Sequence, residues 1–268
     1  MNLVIFAEKP AYLLSFSVVV LLCVKAMPTL IYKTKDFAVY NKPAGVLVHP
    51  IKGFEDREEG KTLADIAKKE FPEIAKVGDD PETRPGIVHR LDKNTSGVIV
   101  IARNQKFFGF MKNLFQNHQV KKTYTALVNG RILGSGTIDT PIGLKPGTIK
   151  RSTVARNMKM VKEAVTEYKA VKIYQQSVLS GKGAVYYTLL HITPHTGRTH
   201  QIRVHLASIG HPIVGDTLYG PKTNSFGLNR HFLHAESIEF GTPDGNRIKL
   251  EAELSPELLK ILKSLETH

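Results

Sequence analysis

The fold class is decided by residues 98–130, VIVIARNQKFFGFMKNLFQNHQVKKTYTALVNG, in which two strand patterns enclose a helix pattern. The apolar run 98–102 is typical of a short strand, and alternation over 123–128 indicates another. Between them a helix is predicted over 105–117, with Asn104 as its cap. One apolar stripe follows this helix: Phe107, Phe108, Met111, Leu114 and Phe115. We interpret these side chains as core rather than as a base-stacking platform.

Outward from this run, the chain contains more strand patterns than helix patterns. Strands are predicted within 30–40 and 46–48 and over 164–174 and 184–193. Helices are predicted over 62–71, over 199–209 and from Pro256, with Ser255 as the cap of the last. Residues 76–87 are predicted to form a loop, and residues 134–147 loops and short strands. One apolar face is expected on the helix over 199–209: Ile202, His205, Leu206 and Ile209. Many strands with few helices between them predict an α+β fold with a mixed, mainly antiparallel central sheet and flanking helices and loops.

Composition indicates a globular protein that binds a polyanion. The 268 residues are 42% hydrophobic, which is enough to bury a sizeable core, and the single cysteine, Cys23, excludes an internal disulfide. Lys and Arg total 37 against 24 Asp and Glu, a net charge of +13. RNA, DNA and an anionic membrane all fit this charge. The positive residues are spread along the chain, which favours a folded binding face over a basic tail.

The first 26 residues differ from the rest. Residues 11–24, AYLLSFSVVVLLCV, are nearly all apolar, but the run is shorter than the roughly 20 residues that span a bilayer. It is compatible with a start assigned upstream of the true one at Met27, with a targeting leader, or with a packed strand or helix; we favour the first interpretation. We therefore expect an apolar extension over 1–26, one domain over 27–268, and a cytoplasmic protein, with organelle targeting as the alternative.

Two polar clusters could carry chemistry. The first is HRLDKNTSG, residues 89–97, directly before the predicted strand at 98–102. The second is TGRTHQIRVH, residues 196–205, at the start of a predicted helix. By residue type alone, the first is also compatible with a charged surface turn and the second with a solvated basic helix start.

A metal or nucleotide cofactor is not expected. Four histidines lie close together in sequence, at His195, His200, His205 and His211. His200 and His205 are five residues apart, however, and do not share a helix face. There is no HExxH pattern, no nearby carboxylate to complete a ligand set, no P-loop and no GxGxxG.

Four segments together resemble the RluA-type pseudouridine synthases. HRLDKNTSGVIVIARN (89–104) resembles the segment around that family's catalytic aspartate, and TGRTHQIRVHLASIGHPIVGDTLYG (196–220) resembles its downstream signature. VYNKPAGVLVHP (39–50) and KKTYTALVNG (121–130) also fit, in the expected order. The similarity covers about 30–240 and implies the family's fold, without an N-terminal S4-type domain.

The resemblance implies a role for particular residues. It makes Asp92 the catalytic nucleophile, Tyr124 the residue that packs on the target base, Arg203 the partner of Asp92, and Arg90 the side chain that fills the space left by the flipped nucleotide. It implies an isomerase that converts uridine to pseudouridine in ribosomal or transfer RNA without a cofactor, and we expect a monomer. Further RNA contacts are predicted at Lys93, Lys122, Arg151, Arg198 and His200.

The chemistry places a condition on Asp92. A nucleophilic carboxylate must stay ionised in a desolvated pocket, which burial opposes and a guanidinium favours. Arg203 can bind a carboxylate as a bidentate fork. We therefore predict a buried Asp92–Arg203 ion pair with its charged atoms within about 4 Å.

Overall fold

The computed structural model describes residues 27–50, 62–148, 150–154, 157–177, 183–223 and 226–266. The predicted extension over 1–26 lies outside the described residues, as does every interpretation of it. Within the described ranges, every helix is too short or too polar to cross a bilayer.

Twelve strands and four α-helices form in these ranges. The strands are β1 Thr29–Lys33, β2 Phe37–Lys42, β3 Ser96–Ala102, β4 Lys121–Asn129, β5 Ser135–Asp139, β6 Ile142–Leu144, β7 Arg151–Ser152, β8 Lys159–Lys162, β9 Val165–Ser177, β10 Ala184–Pro194, β11 Leu233–Gly241 and β12 Arg247–Glu251. The helices are α1 Leu63–Glu70, α2 Gln105–Gln116, α3 Gln201–Ser208 and α4 Pro256–Glu266, with a short 3-10 helix at Pro72–Lys76. The predicted α+β class is confirmed.

Nine strands form the central sheet, in the order β1-β2-β3-β11-β4-β10-β9-β5, with β12 paired to β11. The β3–β11 pair is parallel and the other pairs are antiparallel, so the predicted mixed, mainly antiparallel sheet is confirmed. A smaller sheet, β7-β6-β8, lies outside this path. The single parallel pair, β3–β11, matters for the site because β3 begins shortly after Asp92, the last residue of the HRLD segment.

Most local predictions are close to the observed elements. Helix α2 begins after Asn104, whose side chain accepts a hydrogen bond from the Phe107 N–H at 2.9 Å. The extended stretch predicted over 30–40 is a hairpin of β1 and β2, because the Thr34 hydroxyl accepts hydrogen bonds from two N–H groups in the turn. The strand predicted at 46–48 is wrong: only Leu47 pairs, in one isolated bridge to Thr62.

Helix α3 does not have the one-sided apolar face that the sequence predicted. Six of its eight residues are buried, including Gln201, Arg203 and His205. Ile209, expected on the buried face, lies at the C-cap and is 37% exposed. The helix is enclosed by protein, so its polar side chains are satisfied by internal partners and not by water.

Two hydrophobic clusters form on either side of β4 and β11. One contains residues of β2, β3, α1 and α2, and the other contains residues of β4, β10, α3 and α4. Tyr124 packs against both clusters. The side chain predicted to contact the target base therefore lies where the two halves of the molecule meet.

Candidate active site

Sheet register brings Asp92 towards Tyr124. Gly97, five residues after Asp92, pairs with Ala235, and Ala235 pairs with Tyr124. Gly97 has φ +119, and a Cβ there would lie 2.1 Å from the Ala235 carbonyl oxygen. Only glycine therefore allows β3 to approach β11 this closely.

A cavity of 610 Å³ opens between these elements. Segment 88–92, Lys122 and Tyr124 of β4, the start of α3 and the end of α2 all line it. We call one group of lining residues the aspartate lobe: Asp92, Tyr124, Arg198, His200 and Arg203. We call a second group, at and near the end of α2, the helix lobe: His89, Lys112, Phe115, Gln116, His118 and Lys122.

Arg203 connects two carboxylates. Its Nη1 donates to Asp92 Oδ2 at 3.2 Å, so the predicted ion pair is present. The predicted fork on Asp92 is wrong, because Nε and Nη2 donate to Asp216, at 2.7 and 2.9 Å. The Asp216 side chain is 1% exposed and that of Asp92 is 23% exposed. Asp216 thus holds the guanidinium from behind, and Asp92 faces the cavity.

Mutual pairing favours the charged forms of Arg203 and Asp216. Burial opposes the charge on Arg203, but the two carboxylates outweigh it and hold the pKa of Arg203 above its usual value. Burial likewise works against ionised Asp216, and the Arg203 fork outweighs it, so the pKa of Asp216 lies below its usual range. A fixed, charged guanidinium is therefore present beside Asp92 throughout the neutral range.

His200 and Tyr219 complete the surroundings of Asp92. His200 Nδ1 hydrogen-bonds the Tyr219 hydroxyl at 2.8 Å, and His200 Nε2 lies 3.9 Å from Asp92 Oδ2. Burial lowers the pKa of His200, and the Asp92 charge offsets part of that effect. The guanidinium carbon of Arg203 lies 5.1 Å from the centre of the Tyr219 ring. Tyr219 therefore supports both basic neighbours of Asp92.

The turn that carries Asp92 is tied to buried groups behind it. The Lys42 ammonium is buried and donates to three carbonyl oxygens: Pro43 at 2.8 Å, Val46 at 2.9 Å and Lys93 at 3.1 Å. Burial lowers the pKa of Lys42 to about 7. On the other side, the Thr95 hydroxyl hydrogen-bonds His231 Nε2 at 2.8 Å. The carboxylate is thus carried on a rigid turn.

Tyr124 is half-buried, and its hydroxyl has no hydrogen-bond partner among the described residues. Burial raises its pKa, and the negative charge of Asp92 raises it further. The phenol therefore stays neutral and offers an apolar face and one O–H group to whatever enters the cavity.

The predicted RNA contacts fall into two groups. Arg90, Lys122, Arg198 and His200 line the cavity, and Asp92 is the only carboxylate in its described lining. Lys93 and Arg151 do not line it: Lys93 is exposed and its carbonyl accepts from Lys42, and the Arg151 N–H donates to the Tyr219 hydroxyl at 3.0 Å.

Sequence reasoning overlooked the partners of the predicted residues. Asp216 and Tyr219 lie inside the second matched segment, and Lys42 inside the VYNKP segment, but we assigned them no role. The available signal was a charged residue close to an apolar run, since Asp216 follows shortly after residues 212–214. Asp216 is the carboxylate nearest to His211 in that segment, and it binds Arg203. No cluster of three or more metal-binding side chains occurs among the described residues.

Comparison with known proteins identifies the class. The model of the RNA pseudouridylate synthase family matches residues 36–208. The chain is 39% identical over 227 residues to an uncharacterized RNA pseudouridine synthase of Chloroflexus aurantiacus, covering 84% of this chain and 66% of that protein. It is 35% identical over 244 residues to a protein of Nitrosomonas europaea named ribosomal large subunit pseudouridine synthase D, covering 88% of this chain and 64% of that protein.

This chain belongs to the RNA pseudouridylate synthase family, and the resemblance predicted from its four segments is confirmed. It spans about two thirds of the length of the two relatives named above. The fold is that of the human RNA Pseudouridylate Synthase Domain Containing 1, with a TM-score of 0.67 at 23% identity, over 90% of this chain and 96% of that one.

Proposed function

We propose that this protein converts uridine to pseudouridine in RNA, with Asp92 as the nucleophile. The observation that carries the proposal is the Asp92 carboxylate, which faces a cavity beside a guanidinium that Asp216 fixes from behind. A carboxylate that is paired with a fixed guanidinium and partly desolvated next to a substrate site is an arrangement suited to nucleophilic catalysis.

The reaction needs only groups that this chain supplies. The N1–C1′ bond of uridine breaks, the base turns, and C5 bonds to C1′ in its place. The proton on C5 is lost and N1 gains one, so the product is an isomer and no electrons are gained or lost. As the nucleophile, the Asp92 carboxylate bonds to the nucleoside as the N1–C1′ bond breaks and is released as a carboxylate when the C5–C1′ bond forms. Arg203 pairs with the carboxylate before and after the reaction.

The target uridine must leave its stack to reach Asp92. Extrusion of a nucleotide costs a few kcal/mol. Stacking of the base on an aromatic face such as Tyr124 recovers about 1–3 kcal/mol. Arg90 and Arg198 line the same cavity. We assign Arg90 to the space that the flipped nucleotide leaves and Arg198 to a flanking phosphate. The net charge of +13 supports a polyanionic substrate.

Ribosomal or transfer RNA is the proposed substrate, and ribosomal RNA of the large subunit is favoured. Support for this choice comes from the names of relatives, since the similar proteins of Nitrosomonas europaea and Haemophilus ducreyi are both named ribosomal large subunit pseudouridine synthase D. Pseudouridine mapping across total RNA from cells with and without the gene tests it, and loss of signal at one position would name the target.

Asp92→Asn tests the chemistry. The amide has nearly the same shape but is a poor nucleophile, so turnover should fall by a factor on the order of 10⁴ or more. Affinity for RNA should stay within about threefold, since phosphate contacts dominate binding. Asp244→Asn, the same change in an exposed turn, is the control and should keep full activity. Parental turnover in Asp92→Asn would refute Asp92 as the nucleophile, and a wild type that binds RNA without forming pseudouridine would favour a protein that only binds RNA.

A further inference from the structure

The cavity continues beyond the groups that the proposed chemistry uses. Lys122 and Tyr124 lie two residues apart on β4, and both line the cavity, so its wall extends by roughly 7 Å along this strand. Residues at the end of α2 line the same cavity. The proposed chemistry places the sugar at Asp92 and the base on Tyr124 and assigns no role to the helix lobe.

The helix lobe contains an aromatic pair. Phe115 and His89 stack with ring centres 5.0 Å apart and an interplanar angle of 28°. His89 Nε2 accepts a hydrogen bond from the Val100 N–H at 2.9 Å, and burial, with a smaller effect of Lys122, lowers the pKa of His89 to about 3. The pair is therefore neutral and fixed to β3. Both aromatic rings of the pair line the cavity.

Next to this aromatic pair lies a cation that has no carboxylate and no hydrogen-bond partner in the part of the chain that the structure describes. Lys122 Nζ lies 6.0 Å from the centre of the Phe115 ring. Among the described residues it has neither a carboxylate nor a hydrogen-bond partner, whereas Lys112 at the rim is paired with Asp79 at 2.8 Å. Burial lowers the pKa of Lys122 to about 8, which still leaves it mostly charged at neutral pH. A partly buried cation of this kind is stabilised by an anionic ligand.

His118 adds a strained position at the same end. It follows α2 with φ 56, in the left-handed region where glycine is the common residue at a helix C-terminus. A side chain in this region is strained. The imidazole lines the cavity, so it can contact a ligand without reaching the core.

We propose that the helix lobe binds the nucleotide next to the target uridine, with its base against Phe115 and His89 and its phosphate on Lys122. This inference rests on the proposed function. Aromatic faces with unpaired cations are the means by which proteins bind single-stranded nucleic acid. The neighbouring nucleotide is tethered to the target by one phosphodiester, so it lies within reach of a lobe that adjoins the uridine site. The protein would thereby recognise a dinucleotide, not an isolated uridine.

An RNA with a missing base tests the contact. The probe is a synthetic stem-loop of about 20 nucleotides centred on the uridine that mapping identifies, compared with versions abasic at the 5′ or the 3′ neighbour. For the wild type, we expect one abasic version to bind roughly tenfold more weakly, which equals about 1.4 kcal/mol and lies within the range for one base–aromatic stack. Phe115→Leu should bind the intact RNA roughly tenfold more weakly and lose nothing further on that abasic RNA.

Phe110→Leu is the matched control. Phe110 is half-buried on the same helix, outside the cavity lining, and should retain wild-type affinity for all three RNAs. If the losses from Phe115→Leu and from the missing base are additive, or if neither abasic RNA binds more weakly to the wild type, the inference is overturned while the proposed function stands. If the wild type forms no pseudouridine in any RNA, the proposed function fails, and this inference fails with it.

Lys122→Met tests the phosphate contact independently of the packing of Phe115. The plot of log affinity against log salt should become shallower by about 0.7, the value for one phosphate on a single strand. Lys106→Met, on an exposed position of α2 outside the cavity lining, should leave the slope unchanged. An unchanged slope in Lys122→Met would overturn the assignment of the phosphate to Lys122.

Discussion

The two lobes of the cavity differ in how their charged groups are paired. In the aspartate lobe, Arg203 contacts two carboxylates and His200 is held by Tyr219. In the helix lobe, Lys122 has no charged partner among the described residues. Groups that are already paired are preorganised for one geometry, which suits chemistry. A group without a partner retains its capacity for a ligand, which suits binding.

The largest effect is expected from a glycine that positions the aspartate lobe. In Gly97→Ala, the new Cβ meets the Ala235 carbonyl oxygen and the residue must adopt φ +119. The free energy of unfolding should fall by about 3 kcal/mol or more, because strain and overpacking add. Chemical denaturation measures this loss.

Gly109→Ala supplies the contrast on the helix that carries the other lobe. Gly109 is helical, and an added Cβ would meet no atom within 4 Å. This variant should be more stable by up to about 1 kcal/mol, the propensity difference between the two residues. Equal effects of the two substitutions would contradict the view that β3 and β11 need glycine at position 97.

Sequence reasoning succeeded where the signal was local. The stripe and the Asn104 cap of α2 depend on neighbouring residues, and the position of Asp92 followed from a motif. Phe115 packs against the core cluster, as its place in the apolar stripe predicts, but periodicity does not reveal that it also lines the cavity. Its side chain is half-buried.

The carboxylate that receives the Arg203 fork could not be predicted for a different reason. Asp216 reaches Arg203 because segment 213–216 is held by residues far from it in the sequence, one in β4 and one just before β11. The Val214 N–H donates to the Leu127 carbonyl at 2.9 Å, and the Phe232 N–H donates to the Val214 carbonyl at 2.8 Å. Gly215 belongs to this segment and has φ +77, and an added Cβ there would lie 2.1 Å from the Arg230 carbonyl oxygen. These contacts are long-range, so spacing in the sequence does not reveal them.

The next effect concerns the support behind Arg203. Asp216→Asn keeps the shape of the fork but removes its charge, so the guanidinium is free to shift towards Asp92. We expect kcat to fall roughly 100-fold, as is common when a supporting partner of a functional group is lost. RNA affinity should stay within about threefold of the wild type, which separates this effect from general misfolding.

A double variant sharpens this prediction. If Asp216 acts through Arg203 on Asp92, Asp92→Asn with Asp216→Asn should be no less active than Asp92→Asn alone. If the losses in single-turnover rate from the two single variants multiply in the double variant, Asp216 acts by another route.

The smallest effect is a pH dependence that originates behind the aspartate lobe. Burial, with a smaller effect of Arg203, lowers the pKa of His231 from 6.5 to about 3. Above pH 6.5 the imidazole is neutral in both the folded and the unfolded chain, so it does not affect stability. Between pH 6.5 and 3 only the unfolded chain takes up the proton, and stability therefore falls as the pH falls.

The expected loss from this histidine is about 1 kcal/mol per pH unit below 6.5. His231→Gln retains a hydrogen-bonding group opposite Thr95 but cannot titrate, so the free energy of unfolding should depend less steeply on pH between 6.5 and 5. Urea denaturation of both proteins at several pH values measures the difference. Parallel pH profiles would mean that His231 is protonated equally in the folded and the unfolded chain. The His231–Thr95 contact would then not be the buried support that we assign to the aspartate lobe.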